Sequence, residues 1–259
     1  MNAAIHRGTT VIDLGLIDYK AGWDYQTKLF NDILQVKAAN RELPGNEQQP
    51  TSNYLLLCEH PNVYTLGKSG NEKNLLLPVE QLTGINATYY PINRGGDITY
   101  HGPGQLVVYP VIDLENFFTD IHKYMRTLEE AVIQTLGDFG ITASRISGLT
   151  GVWIEDRKIC AFGVKTSRWV TMHGLALNVN TDLGYFKNII ACGIEDESKT
   201  VTSMEKELGH PVDIHSVKPI LTEKLISLFE MKPCETSVPP VPSVVKKKKK
   251  TSTSLKLRT

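Results

Sequence analysis

The chain has 259 residues, 41% of them hydrophobic, and a formal net charge of zero at pH 7, which is enough to bury one large core in one or at most two domains. The neutrality hides an asymmetry: Lys246 to Lys250, Lys256 and Arg258 stand in 236–259 with no acid among them, so the first 235 residues carry 21 cations against 28 acids, a balance of about −7. A folded body of that sign is not built to coat nucleic acid. No stretch approaches the roughly 18 apolar residues of a membrane span, and the first ten positions hold no apolar signal region, so no membrane partner and a cytoplasmic location are expected.

Val11 to Ile17 reads as a buried strand, and Leu29, Ile33, Leu34 and Val36 recur at helical spacing within Tyr19 to Asn40. A polar loop with Pro44, Gly45 and Pro50 leads to the apolar run Tyr54 to Cys58 and the short strand Val63 to Leu66. Further strands are predicted over Ile98 to Tyr100 and Leu106 to Ile112. Asp120 is placed to cap a second helix with one apolar face, Ile121, Tyr124, Leu128, Val132 and Leu136, which Gly137 and Gly140 are expected to end. Gly151 to Ile154, Lys158 to Val164 and Val170 to Leu177 read as strands, the first two joined as a hairpin through Glu155, Asp156 and Arg157. A last helix is predicted from His215 to Phe229. Strands in neighbouring runs with a few long helices argue for an α+β fold, mixed sheets with flanking helices. From Thr236 the composition turns to Ser, Thr, Pro and Lys, so 1–235 is expected to be a single domain and 236–259 a disordered basic tail.

Four segments carry chemistry. Arg94 to Leu106 (RGGDITYHGPGQL) packs four glycines among Arg, Thr, Tyr, His and Gln, a composition that lets backbone approach a ligand while side chains orient it; a tight turn between strands is the plainer reading. Lys158 to Lys165 and His173 to Val179 read as strands interrupted by glycine. In the fourth, Cys192 stands beside Gly193 in a predicted loop, a setting that suits a reactive thiol. The other cysteines, Cys58, Cys160 and Cys234, show no metal-ligand or disulfide spacing, and Cys58 and Cys160 read as packed core thiols. Lys158, judged alone, is a solvated hairpin lysine, and His101 and His173 have either a core or a site role. Gly67-Lys68-Ser69 mimics the end of a phosphate loop, but Asn62 occupies the place of the first glycine, and no histidine cluster suggests a metal.

Together these segments resemble the lipoyl(octanoyl) transferase family, of the biotin/lipoate protein ligase fold group, from about Val11 to Leu208. The RGG, the T-aromatic-H, the GPGQ and the tyrosine at 109 are all present. His60 to Gly67 is similar to the family's HPxVYTLG stretch, and His173 to Val179 to its HGLALNV strand. The resemblance implies octanoyl transfer from acyl carrier protein to a lysine of a lipoyl domain, with the lipoyl domains of 2-oxoacid dehydrogenase complexes and the glycine cleavage H protein as acceptors and no cofactor. It makes Cys192 the acyl-thioester nucleophile and Lys158 its partner. It also implies that Arg94, Gly95, Gly96, Asp97, Ile98, Thr99, Tyr100 and His101 line the acyl pocket, closed by Ala161, Phe162, Gly163, Gly174, Leu175 and Ala176. Ala191 departs from the proline usual before the cysteine, and Lys165 stands where many relatives have arginine and is given no catalytic role. Three rivals remain: an ATP-dependent lipoate ligase, which needs no nucleophilic cysteine; a cysteine hydrolase; and a noncatalytic adaptor that binds RNA or acidic partners through the tail. The tail itself is either a solvated end or an electrostatic lure for an acidic carrier protein.

Overall fold

The computed structural model describes residues 6–191 and 198–234; the remaining positions, Cys192 and the basic tail among them, lie outside the described residues. Its centre is an eight-stranded mixed sheet. Strand β1 (Gly8–Leu16) runs parallel to β2 (Asn53–Glu59), and helix α1 (Tyr19–Asn40) makes the crossover between them. Parallel neighbours need such a connection, so the chain contains a βαβ unit that the strand spacing did not predict. A small second sheet follows, in which β3 (Val63–Leu66) lies between β4 (Thr88–Pro91), parallel to it, and β5 (Ile98–His101), antiparallel.

The chain then returns to the main sheet. Strand β6 (Gln105–Val111) pairs with β2, and after helix α2 (Ile121–Asp138) the hairpin β7 (Val152–Ile154) and β8 (Arg157–Ser167) leads to β9 (Val170–Asn178), which closes against β6. Strand β10 (Thr200–Val201) adds to β8 in parallel. Helices α3 (Met204–Leu208) and α4 (Ile214–Phe229) precede β11 (Lys232–Pro233), which adds in parallel to β1.

The period-two alternation of the strands explains the layers. On β2 and β6, Leu55, Leu57, Leu106 and Val108 face Leu128, Val132, Leu221 and Leu225 of α2 and α4. Leu56, Cys58, Val107 and Tyr109 face Tyr25, Leu29 and Ile33 of α1 on the other side. Central strands buried on both faces read as unbroken apolar runs, as Tyr54 to Cys58 does.

Helix α2 begins where Asp120 accepts the Lys123 amide at 2.9 Å. Its end differs from the sequence reading: Gly137 lies inside the helix, and Gly140, at φ +76°, makes the turn, with Ile141 N–H donating to Leu136 O at 3.0 Å. That six-to-one bond needs a left-handed residue just past the helix, which only Gly140 supplies without strain. Among the described residues no helix is long and apolar enough to cross a membrane.

Candidate active site

A cavity of about 540 Å³ opens between β6, β8 and β9 of the main sheet and β5 of the small one. The two sheets are joined around Arg94, which is only 7% exposed. Its Nη2 donates to Thr65 O at 2.7 Å and to Thr65 Oγ1 at 3.0 Å, and its Nη1 to Gly95 O at 3.0 Å. Gly95 N–H in turn donates to Val164 O at 2.9 Å and so stitches this loop to β8. Close approach demands glycine on the facing strand, because a Cβ at Gly163 would lie 2.9 Å from Arg94 Cδ. Asp97 fixes the far end of the loop by accepting from Asn71 N–H at 3.1 Å and from the Asn74 side chain.

A hydrogen-bonded chain runs along the cavity floor. Gln105 spends its amide protons on Asn178 Oδ1 (2.9 Å) and Tyr100 O (3.2 Å), so its oxygen faces His101 Nδ1 at 2.7 Å. His101 is therefore the Nδ1–H tautomer, with its Nε2 lone pair free of a proton. Asn178 continues the chain to Thr202 O at 2.9 Å. His60 is fixed likewise: Nδ1–H donates to Ile17 O at 2.9 Å, leaving Nε2 to accept from Tyr109 Oη at 2.7 Å. The Tyr19 ring stacks on that of His101 at 5.9 Å between centroids.

Burial holds all three site histidines neutral, with pKa values pushed down to about 4 for His60 and about 3 for His101 and His173. Desolvation dominates in each; the neighbouring His60 imidazole, which competes for protonation, and the Arg94 cation add to it at His101, and Arg94 and Lys165 at His173. An unfolded histidine titrates near ~6.5, so between about pH 6.5 and pH 4 the unfolded chain binds protons that the folded one refuses. Stability should be full above pH 6.5 and fall progressively as pH drops toward 4. Melting temperatures across that range check this, and a flat profile would contradict it.

Lys158 sits on β8 and is buried at 7% exposure, not the solvated hairpin lysine its sequence position suggested. Its ammonium lies 4.7 Å from the centroid of the Trp153 ring, and it lines the cavity. Lys165 on the same strand lies over Phe30 instead and does not line it. Cys58 and Cys160 are fully buried, and desolvation pushes both thiols well up, as suits inert core groups. Cys192, which the sequence reading expected in a loop, lies outside the described residues; its chain neighbour Ala191 lines the cavity.

Of the residues expected around an acyl pocket, Arg94, Gly96, Asp97, Ile98, Thr99, His101, Ala161, Phe162, Gly163, Gly174, Leu175 and Ala176 line this cavity. Gly95 and Tyr100 do not. Tyr100 packs instead into the core of the small sheet beside Tyr64, where it stacks on Tyr185 at 4.9 Å and donates to Asn62 Oδ1 at 2.8 Å. The cavity also takes residues given no site role from sequence, among them Tyr19, Tyr109, Asn178, Lys199 and the turn Gly148 to Thr150. Tyr109 and Asn178 stood inside recognisable motifs. Tyr19 and the turn carried no signal beyond core and loop. Among the described residues no group of three or more His, Cys, Asp or Glu side chains is arranged to hold a metal ion.

Comparison with known proteins agrees with this architecture. Solved structures of lipoate-protein ligase A bound with ATP and of a bipartite lipoate protein ligase with its E2 lipoyl domain from Thermoplasma acidophilum superpose with TM-scores of 0.63 and 0.62. Their identities are 15% and 17%, the former covering 92% of this chain and 90% of its own, the latter 90% and 88%. That likeness establishes a lipoate protein ligase fold. Residues 18–226 match the family described as Lipoyl protein ligase A/B catalytic domain, and the chain belongs to that family. Within it the chain is an acyltransferase of the octanoyltransferase group: the octanoyltransferase of Cytophaga hutchinsonii is 60% identical over 89% of this chain and 96% of its own length. That of Bacteroides fragilis is 49% identical over 85% and 97%.

Proposed function

We propose that the protein moves an octanoyl group from acyl carrier protein to a lysine of a lipoyl domain through a thioester on Cys192, with Lys158 as its proton-transfer partner. The observation that carries the reading is Lys158, largely buried, in the wall of a cavity whose lining runs on to Ala191, the residue bonded to Cys192. A volume of about 540 Å³ lies within the range of small-ligand pockets, and each buried methylene of an acyl chain contributes ~0.8 kcal/mol.

In the first half-reaction the Cys192 thiolate attacks the thioester carbonyl of the carrier, the new C–S bond forms, the old one breaks, and the departing thiolate takes a proton from Lys158. In the second, the acceptor amine attacks the Cys192 thioester, a C–N bond replaces the C–S bond, and the amine proton passes to Lys158. A nearby ammonium is needed because a thiol of pKa ~8.5 is mostly protonated at neutral pH. The acceptors on this reading are the lipoyl domains of 2-oxoacid dehydrogenase complexes and the glycine cleavage H protein, in the cytoplasm. The catalytic domain is 1–235, and the basic stretch 236–259, outside the described residues, serves as a tail.

Intact-mass spectrometry with octanoyl acyl carrier protein and no ATP tests this. Wild type should gain a hydroxylamine-labile octanoyl mass that passes to an apo lipoyl domain, and Cys192→Ser should not. Acylation that appears only with ATP and free acid would identify a ligase instead, and release of free octanoate a hydrolase.

A further inference from the structure

The mechanism above uses Lys158 but leaves unexplained how a long, flexible ammonium side chain is held at one place in the cavity wall. Directly opposite it across the β7–β8 hairpin stands Trp153. Residues opposite one another in an antiparallel pair project to the same side of the sheet, and a register shift between Val152 and Trp153 sets this pairing. Trp153 is fully buried, and the Lys158 Nζ lies 4.7 Å from its ring centroid. The indole N–H makes no hydrogen bond to a described residue, so what the ring offers here is its face.

The opposite side of the slot is backbone. A Cβ on Gly151 would sit 3.0 Å from Trp153 Nε1 and 3.2 Å from Lys158 Cε, and Gly151 holds φ +142°, a conformation L side chains rarely adopt. Its N–H donates at 3.1 Å to Oε1 of Glu129, a carboxylate 1% exposed on α2. The other oxygen of Glu129 accepts from Arg126 at 2.7 Å and from Arg145 at 3.0 Å. Gly151 is therefore pinned to a helix, and the turn Gly148 to Thr150 just before it lines the cavity.

We propose that Trp153 is a positioning residue: with Gly151 it forms a slot, anchored on Glu129, that holds the Lys158 side chain extended and its ammonium charged against the cavity wall. The inference rests on the dyad reading of Lys158 and Cys192. A desolvated cation over an indole face is favoured over the neutral amine, so removing the ring weakens the ammonium that in turn stabilises the Cys192 thiolate.

The test is the pH dependence of Cys192 alkylation in the full chain, read by peptide mass spectrometry, beside the pH profile of acyl transfer. Lys158→Ala should move the alkylation midpoint up toward ~8.5; no movement would defeat the dyad reading itself. With that movement seen, Trp153→Leu should shift the midpoint part of the same way and draw the alkaline limb of transfer down by about 1 pH unit. Trp153→Phe, which keeps an aromatic face and more of the volume, should shift both by less, and it decides the matter if the leucine variant does not fold. Gly151→Ala should lower kcat with KM for the donor retained. A folded Trp153→Leu or Trp153→Phe protein that loses activity equally at every pH, with both limbs in place, would mean that the ring only fills space.

Discussion

Lys158→Ala is expected to lower kcat for octanoyl transfer by about 10²- to 10⁴-fold, the usual contribution of a positioned general acid or base, with KM for the carrier little changed. On the proposed mechanism the effect falls on kcat, because there the ammonium acts on the sulfur and amine that react, whereas the acyl chain is held by the rest of the cavity wall. Lys158→Arg separates the two duties of the residue. A guanidinium keeps the positive charge but does not give up its proton, so if the proposed dyad holds, thiol alkylation should remain easy at neutral pH while turnover is lost. Turnover of Lys158→Ala within tenfold of wild type, measured on the purified protein, would remove the residue from the mechanism. Substitution of a side chain 7% exposed also perturbs packing, so each variant is compared at matched folded fraction.

Arg94→Ala should be the most damaging change to the cavity frame. The substitution leaves Thr65 O, Thr65 Oγ1 and Gly95 O without their donor in a buried site, and unsatisfied buried groups cost ~1 to 3 kcal/mol each. Relaxation recovers part of that, so a loss on the order of 3 to 5 kcal/mol is expected in urea denaturation. Removing the cation also relieves the pressure it places on His101 and His173, whose pKa values should rise, a change observable by NMR titration of the imidazoles. Arg94→Lys should restore charge without the planar fork and rescue little of the stability. A loss below about 1 kcal/mol would show that the two sheets are held together elsewhere.

Much of this frame was legible in the residues. The α1 periodicity, the β3 limits and the Asp120 cap follow from spacing and side-chain chemistry that local structure must obey. The crossover was not: β1 and β2 could have paired either way, and their parallel alignment is decided by where α1 packs, a tertiary matter. Strand β4 escaped because Thr88 to Pro91 is short, half exposed and ends in proline, and α3 because five residues give too little periodicity to register.

The site divides in the same way. Motif resemblance brought most of the lining together, but it treated Arg94 to His101 as one block, whereas Tyr100 packs into the small sheet's core against Tyr64 and Tyr185. Lys158 looked like a solvated lysine because nothing in its own segment shows that Trp153 and Gly151 will enclose it. That enclosure depends on a register shift and on Glu129, more than twenty positions earlier.

One feature of the main sheet bears on how the protein is made. The outer edge of β1, near residue 8, is covered by β11, near residue 232, through bonds from Lys232 N–H to Arg7 O at 2.8 Å and from Cys234 N–H to Thr9 O at 3.1 Å. During synthesis that edge therefore emerges more than 200 residues before the strand that covers it. An uncovered edge offers a row of open backbone groups to other nascent chains. The growing polypeptide is most exposed to misassociation until synthesis has passed residue 233 and delivered the short strand that covers this edge.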